Sequence, residues 1–164
     1  MDYKITTNGP SYSVVQTNKH KIFFSEENNN AICFFDLLER KRIKTIENIS
    51  IRNGSYLKML MITEDLLFVG GENKINIINV HQHNLIRVID SPGSGGISAV
   101  CLLNAKTILT GDDSGIIKQW KIEGDNLILI SKKEKTHSNY ISSLLKTVDG
   151  HVVSGSADHK IRFW

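Results

Sequence analysis

Cysteine is scarce in this chain: only Cys33 and Cys101 occur, each inside an apolar run and neither with a second thiol at metal-site or redox-motif spacing. Both read as small core residues. No apolar stretch approaches the ~18 residues that a bilayer-spanning helix needs. The opening MDYKITTNGPS lacks the basic-then-apolar layout of a secretory signal. These absences point to a chain with no membrane insertion, at home in a reducing cytoplasm, with the nucleus as the alternative. Charge of one sign is also missing: 20 Lys and Arg stand against 17 Asp and Glu, a net +3 spread along the sequence. Without a basic stripe or tail, nucleic acid is not the expected partner. Two short charged runs, Glu39 to Lys44 and Lys132 to Lys135, read as solvated loop or edge-strand surface, where lysine also discourages strand-to-strand aggregation. A sustained helical period is absent too, although LLERKRIKTIE is locally ambiguous.

What is present is a repeat. With 164 residues and 40% apolar content, the chain suits one compact unit spanning 1–164. Written in rows, it ends FFSEENNNAICFF at Phe35, FVGGENKINII at Ile78, LTGDDSGIIKQW at Trp120 and VSGSADHKIRFW at Trp164, with end points 43, 42 and 44 residues apart. The repeats are 1–35, 36–78, 79–120 and 121–164. Each row is a β-hairpin: a β-branched or aromatic run, a turn rich in Gly, Asn, Asp or Ser, and a second alternating run. In the third row the runs are Lys106 to Thr110 and Ile116 to Ile122; in the fourth, His151 to Ser154 and Lys160 to Trp164. Upstream of the hairpins stand the apolar segments Tyr12 to Val15, Tyr56 to Ile62, Ile97 to Leu103 and Ile141 to Leu145. Before these come the more polar Tyr3 to Thr6, Lys44 to Ile46, Leu85 to Ile89 and Leu127 to Ile130. Four strands per repeat at this period predict an all-β chain of four propeller blades. LLERKRIKTIE then reads as an inter-blade loop entering an outer strand.

The fourth row resembles the WD-repeat family, through His137, Ser154, Gly155, Ser156, Asp158 and the run Lys160 to Trp164. That resemblance implies a hydrogen-bonded structural tetrad of His137, Ser154, Asp158 and Trp164. The carboxylate would accept from one imidazole nitrogen, the other nitrogen from the Ser hydroxyl, and the Ser oxygen from the indole N–H. The same residues include a Ser, a His and an Asp, the composition of a nucleophilic triad. A hydrolase, however, needs its hydroxyl at an exposed turn beside oxyanion donors, whereas Ser154 falls in a predicted buried strand. No catalytic residue is assigned. The third row keeps Thr110, Ser114 and Trp120 as a partial tetrad, with its histidine position near Gly93 and Asp113 one residue early. The second row carries Ile78 and Asn79 in place of the Trp and Asp; the first carries Phe35 and Asp36. Apolar packing is expected to replace the polar network in both.

Four blades are at the low edge for a closed ring. Three arrangements stay open: two copies sharing one ring by self-association, a half-ring completed by another subunit, or part of a longer propeller. The start of the chain reads as an outer strand able to complete the last blade.

Other chemistry is sparse. His81 and His83, with His20 elsewhere, lie without cysteine or carboxylate at ligand spacing and read as solvent-exposed loop residues, so no metal is expected. The SPGSGG stretch lacks the Lys and following helix of a phosphate loop, and no cofactor site is found. By resemblance, WD-repeat proteins are non-catalytic assembly platforms for proteins or peptides. Their docking face is formed by the turn between second and third strands and the inter-blade connection. Carried onto this sequence, that face comprises Asn28, Glu72, Asn73, Asp113 and Ser114 from the turns and Ser94, Asn139 and Tyr140 from the connections. Tyr140 is the expected anchor, as an exposed aromatic among polar groups. The competing readings are an RNA-binding module in ribosome assembly, marked by a steep salt dependence, and a propeller enzyme. The latter would need acidic or His groups along SYSVV, YLKMLMI, ISAVCLL and ISSLLK, which offer hardly any.

Overall fold

The computed structural model describes residues 4–17, 20–26, 30–49, 57–93 and 95–164. Among them every regular element is a β-strand, and all pairing is antiparallel. The first sheet is β1 (Val14–Gln16), β2 (Lys21–Glu26), β3 (Ala31–Asp36) and β4 (Lys41–Ile46). The second is β5 (Lys58–Met61), β6 (Leu66–Gly70), β7 (Lys74–Asn79) and β8 (Asn84–Asp90). β9 (Ile97–Asn104), β10 (Thr107–Asp112), β11 (Ile117–Glu123) and β12 (Asn126–Lys133) form the third. The fourth has only β13 (Ile141–Lys146), β14 (Val152–Ser156) and β15 (Ile161–Phe163).

The burial of each strand explains its sequence. Middle strands such as LLFVG of β6 are buried at every position, because neighbouring sheets cover both faces, and so they read as continuous apolar runs. Outer strands such as KRIKTI of β4 are half solvated, with no position fully buried. Three apolar cores lie between successive sheets. Phe23, Phe34, Leu67 and Ile78 fill the first, Phe68, Ile77, Ile108 and Trp120 the second, and Leu109, Ile117, Ile141 and Val152 the third. Phe23 and Phe34 meet edge to face with centroids 4.3 Å apart, and each such buried side chain contributes ~2 kcal/mol through area burial. The sheets stack in chain order, β1 on β5, β5 on β9 and β9 on β13. Closure of the fourth sheet onto the first is not seen among the described residues.

The four row ends share one register place. Phe24 opposes Cys33, Val69 opposes Asn76, Thr110 opposes Lys118 and Ser154 opposes Arg162. Two residues beyond each partner stand Phe35, Ile78, Trp120 and Trp164. In the three complete sheets the outer strand is bulged at that point, between Phe34 and Phe35, Ile77 and Ile78, and Gln119 and Trp120. A bulge adds local twist, and its recurrence fits blades that splay around an axis.

Two expectations about strands are corrected. Leu37–Arg40 of LLERKRIKTIE form a tight turn inside the first sheet, not a connection between sheets, with Arg40 at φ 52°. Each outermost strand comes from the start of the following repeat. The first repeat's own opening segment does not form a strand at residues 4–6, and Tyr3 lies outside the described residues. Residues 4–13 instead run across the outer face of the first sheet. Ile5 packs against Phe24, Cys33 and Phe35, and the Tyr12 and Ser13 amides donate to Ser25 Oγ at 3.1 and 3.4 Å. That aromatic face is thus partly covered by the chain's own opening segment.

Candidate functional site

His137, Ser154, Asp158 and Trp164 come together between the third and fourth sheets. His137 Nδ1 lies 2.9 Å from Asp158 Oδ2, and His137 Nε2 lies 2.7 Å from Ser154 Oγ. The Trp164 indole N–H donates to Ser154 Oγ at 2.9 Å. An ionised carboxylate only accepts, so Nδ1 carries its proton and Nε2 accepts the Ser154 hydroxyl. Ser154 is 0% exposed, and its oxygen is engaged on both sides. The distances equal those of a hydrolytic triad, but the hydroxyl is closed off from solvent and its oxygen also accepts the indole N–H.

Burial by itself raises the Asp158 carboxyl, but its hydrogen bonds from His137 and from the Ser138 and Lys160 amides outweigh that and hold it down, from the usual 3.8 to about 2. A carboxylate depressed in the folded chain stabilises it fully above the unfolded value. That contribution is therefore expected to fade as pH falls from 3.8 towards 2. Urea melts of the wild type and Asp158→Asn across that range should converge at the acid end; a constant gap would refute the assignment.

The third sheet solves the same packing problem differently. Trp120 Nε1 donates to Thr110 Oγ1 at 2.9 Å, but the carboxylate is Asp112, and a lysine stands in for the missing histidine. Lys118 Nζ donates to Asp112 Oδ2 at 3.1 Å and to Ser91 Oγ at 3.2 Å, with both charged side chains almost wholly buried. A Cβ on Gly93 would lie 2.9 Å from Lys118 Nζ, so the ammonium fills the space where the sequence pattern placed a histidine. Asp112 Oδ1 also accepts the Ser114 and Ile116 amides at 3.0 Å each. Of the partial tetrad of Thr110, Ser114 and Trp120, the Thr110–Trp120 bond forms, and Ser114 joins the cluster through its backbone amide, with Asp112 supplying the carboxylate. Sequence reasoning missed Lys118 and Asp112. The signal was a lysine opposite the Thr of the tetrad.

At one end of the stack, turns and connections join into a continuous rim. Asp113 N–H donates to the Gly96 carbonyl at 3.0 Å, His137 N–H to Gly115 at 3.1 Å and Ala157 N–H to Tyr140 at 3.1 Å. Gly115 has φ 75°, and a Cβ there would meet the His137 carbonyl at 2.1 Å, so this crossing requires glycine. Glu72, Asn73, Ser114 and Asn139 are exposed on the rim and Asp113 is half-buried.

No family model matches the sequence, and no curated protein matches it. Its structure is similar to the WD40 β-propeller domain of Doa1, with TM-score 0.76 at 16% identity over 95% of this chain and 51% of that one. It is similar as well to a chain of the mitotic checkpoint complex, with TM-score 0.77 at 12% identity over 94% of this chain and 48% of that one. The chain has the WD40 β-propeller fold. It spans about half the length of the solved propellers it matches.

Within these WD40 blades the remaining sequence expectations find their places. Tyr140 is half-buried, not the exposed aromatic expected, and its carbonyl accepts from Ala157 N–H at 3.1 Å and from the Ser156 hydroxyl at 2.9 Å. Asn28 and Ser94 lie outside the described residues. His81 is exposed and pairs with Asp65 at 2.7 Å. His83 is not solvent-exposed as expected: it sits half-buried, edge to face with Phe34 at 4.8 Å, with its pKa lowered by burial and by Lys21, Lys44 and His81. Among the described residues no group of three His, Cys, Asp or Glu is placed to hold a metal ion. Both cysteines are free thiols pushed up by burial to about 11. Among the described residues no helix is long and apolar enough to cross a membrane.

Proposed function

We propose that this chain is a non-catalytic scaffold that binds other proteins through the rim carrying Glu72, Asn73, Asp113, Ser114, Asn139 and Tyr140. The observation that carries the reading is the hydrogen-bonded joining of turns and connections from successive blades into one surface. Because its backbone is already fixed, such a surface loses little entropy when a partner docks. One of the similar propellers comes from the mitotic checkpoint complex, a setting in keeping with assembly work. Glu72 and Asp113 give the rim an acidic cast, which favours a partner segment with basic or amide donors. A cytoplasmic or nuclear setting accords with two free thiols.

The test is affinity capture with the wild-type chain and with Tyr140→Ala/Asp113→Lys as bait, quantified by mass spectrometry. Rim partners should drop about tenfold or more, as expected for removing an aromatic anchor and reversing a charge. Full retention of every partner would show the rim is not the docking face.

A further inference from the structure

His83 closes the β7–β8 turn and reaches from the second sheet onto the first. Phe23 opposes Phe34, and Phe34 opposes Lys44, so these three share the face of the first sheet that meets the second. Lys21, two residues before Phe23, lies on that face as well. The His83 ring stands edge to face on Phe34, with centroids 4.8 Å apart. Its Nε2 is buried and, among the described residues, has no hydrogen-bond partner.

The turn itself does not demand this ring. Asn79 Oδ1 accepts the His81 and Gln82 amides at 3.0 and 2.8 Å, and His83 takes the left-handed conformation, φ 52°, that ends the turn. Arg40 holds the same place after β3 with φ 52°, and it is exposed. Asparagine would meet the backbone requirement equally well. What histidine adds is an ionisable group set between two sheets.

Its surroundings oppose a charge. Burial disfavours the imidazolium, and so do Lys21 of β2, Lys44 of β4 and His81 of its own turn, which together hold the pKa below the ordinary 6.5. The carboxylates at this junction are engaged elsewhere. Asp36 of β3 opposes Lys21, and its Oδ1 accepts the Leu38 and Glu39 amides at 2.9 and 3.0 Å. Asp65 of the β5–β6 turn lies 2.7 Å from His81. With its proton on Nδ1, a neutral ring leaves only an unused lone pair at Nε2, whereas the imidazolium would bury an N–H without an acceptor as well as a charge.

We propose that His83 is an acid-sensitive latch between the first and second blades: neutral, it seats on Phe34 and holds the β7–β8 turn against the first sheet; protonated, it leaves that seat and opens this end of the junction. The folded chain takes up this proton less readily than the unfolded one. The latch therefore contributes fully above pH 6.5, and its contribution is lost as pH falls from there through the folded-state value. It lies at the far end of β7 from Glu72 and Asn73, so it does not depend on the rim being a docking face.

The experiment is an NMR titration of the whole chain from about pH 8 to about 4.5, a range that brackets an ordinary histidine. The His83 ring resonances are identified by their through-space contact with Phe34. They should begin displaced by the Phe34 ring current, titrate below 6.5 and lose that displacement as they do. Urea unfolding over the same range gives a second readout. The folded-to-unfolded ratio should fall more steeply with acid in the wild type than in His83→Asn, by up to about tenfold per pH unit, the effect of one proton. Lys44→Gln, at an exposed position, keeps the ring and removes a cation; it should bring the titration closer to 6.5 and shrink the slope, and it serves equally where His83→Asn does not fold. Titration at or above 6.5 overturns the proposal, because the face of Phe34 then welcomes the cation. A displacement that persists through the titration, or an acid slope unchanged in both variants, overturns it too.

Discussion

Replacing Lys118 by methionine is expected to lower the unfolding free energy by about 3–5 kcal/mol, the usual cost of stranding one member of a buried ion pair. The ammonium is 1% exposed and Asp112 2% exposed, so the abandoned carboxylate would face the core between second and third blades without water. Asp112→Asn alone should cost less, because an amide oxygen still accepts the Ser114 and Ile116 amides that Asp112 Oδ1 binds. Combining the two substitutions should recover most of the loss, since no net charge is left buried and the methionine stem still fills the space beside Gly93. Urea denaturation of the four proteins closes the cycle. Loss of less than about 1 kcal/mol in the single Lys118 variant, or strict additivity in the double, would show that the pair carries little of the junction.

Ser154→Ala is expected to destabilise by about 3 kcal/mol, because it strands His137 Nε2 and the Trp164 indole N–H together in a site without solvent, at ~1–3 kcal/mol each. Trp164 should lose its fixed setting, visible as a change in tryptophan emission before global unfolding. His137→Ala combined with Ser154→Ala should cost far less than the sum, since both break one network. The clamp and the hydrolase readings separate here: a nucleophilic serine could be replaced with little loss of stability. A melt unchanged by Ser154→Ala would therefore sink the clamp.

The tetrad was legible in the sequence because its members lie within one repeat, three of them in or beside one hairpin and His137 in the connection that leads into it. His137 lies in the connection before β13, Ser154 on β14, Asp158 in the β14–β15 turn and Trp164 just past β15, and the fold of this one repeat brings them to within 2.7–2.9 Å. Lys118 was not legible. In GIIKQW it reads as a solvated position of an alternating strand, and only the approach of Ser91, 27 residues earlier, turns that position inward. GDDSG offers two carboxylates in succession, and the hairpin's own hydrogen bonds select Asp112 over Asp113. Tyr140 was read as exposed from its polar neighbours, yet the hydroxyl and amide that hold its carbonyl come from the next turn.

The sequence by itself determined the repeat period and the hairpin at the centre of each repeat, since a β-hairpin is specified by alternation and turn residues close together in the chain. Which sheet owns each outer strand was decided only in three dimensions. The start of the chain could pair with β15 or cover the aromatic face of Phe24 and Phe35, and the energy of burying that face depends on what stacks against it. Local pattern is blind to that choice, because the competing surfaces belong to residues far apart in sequence and become alternatives only once the sheets are packed.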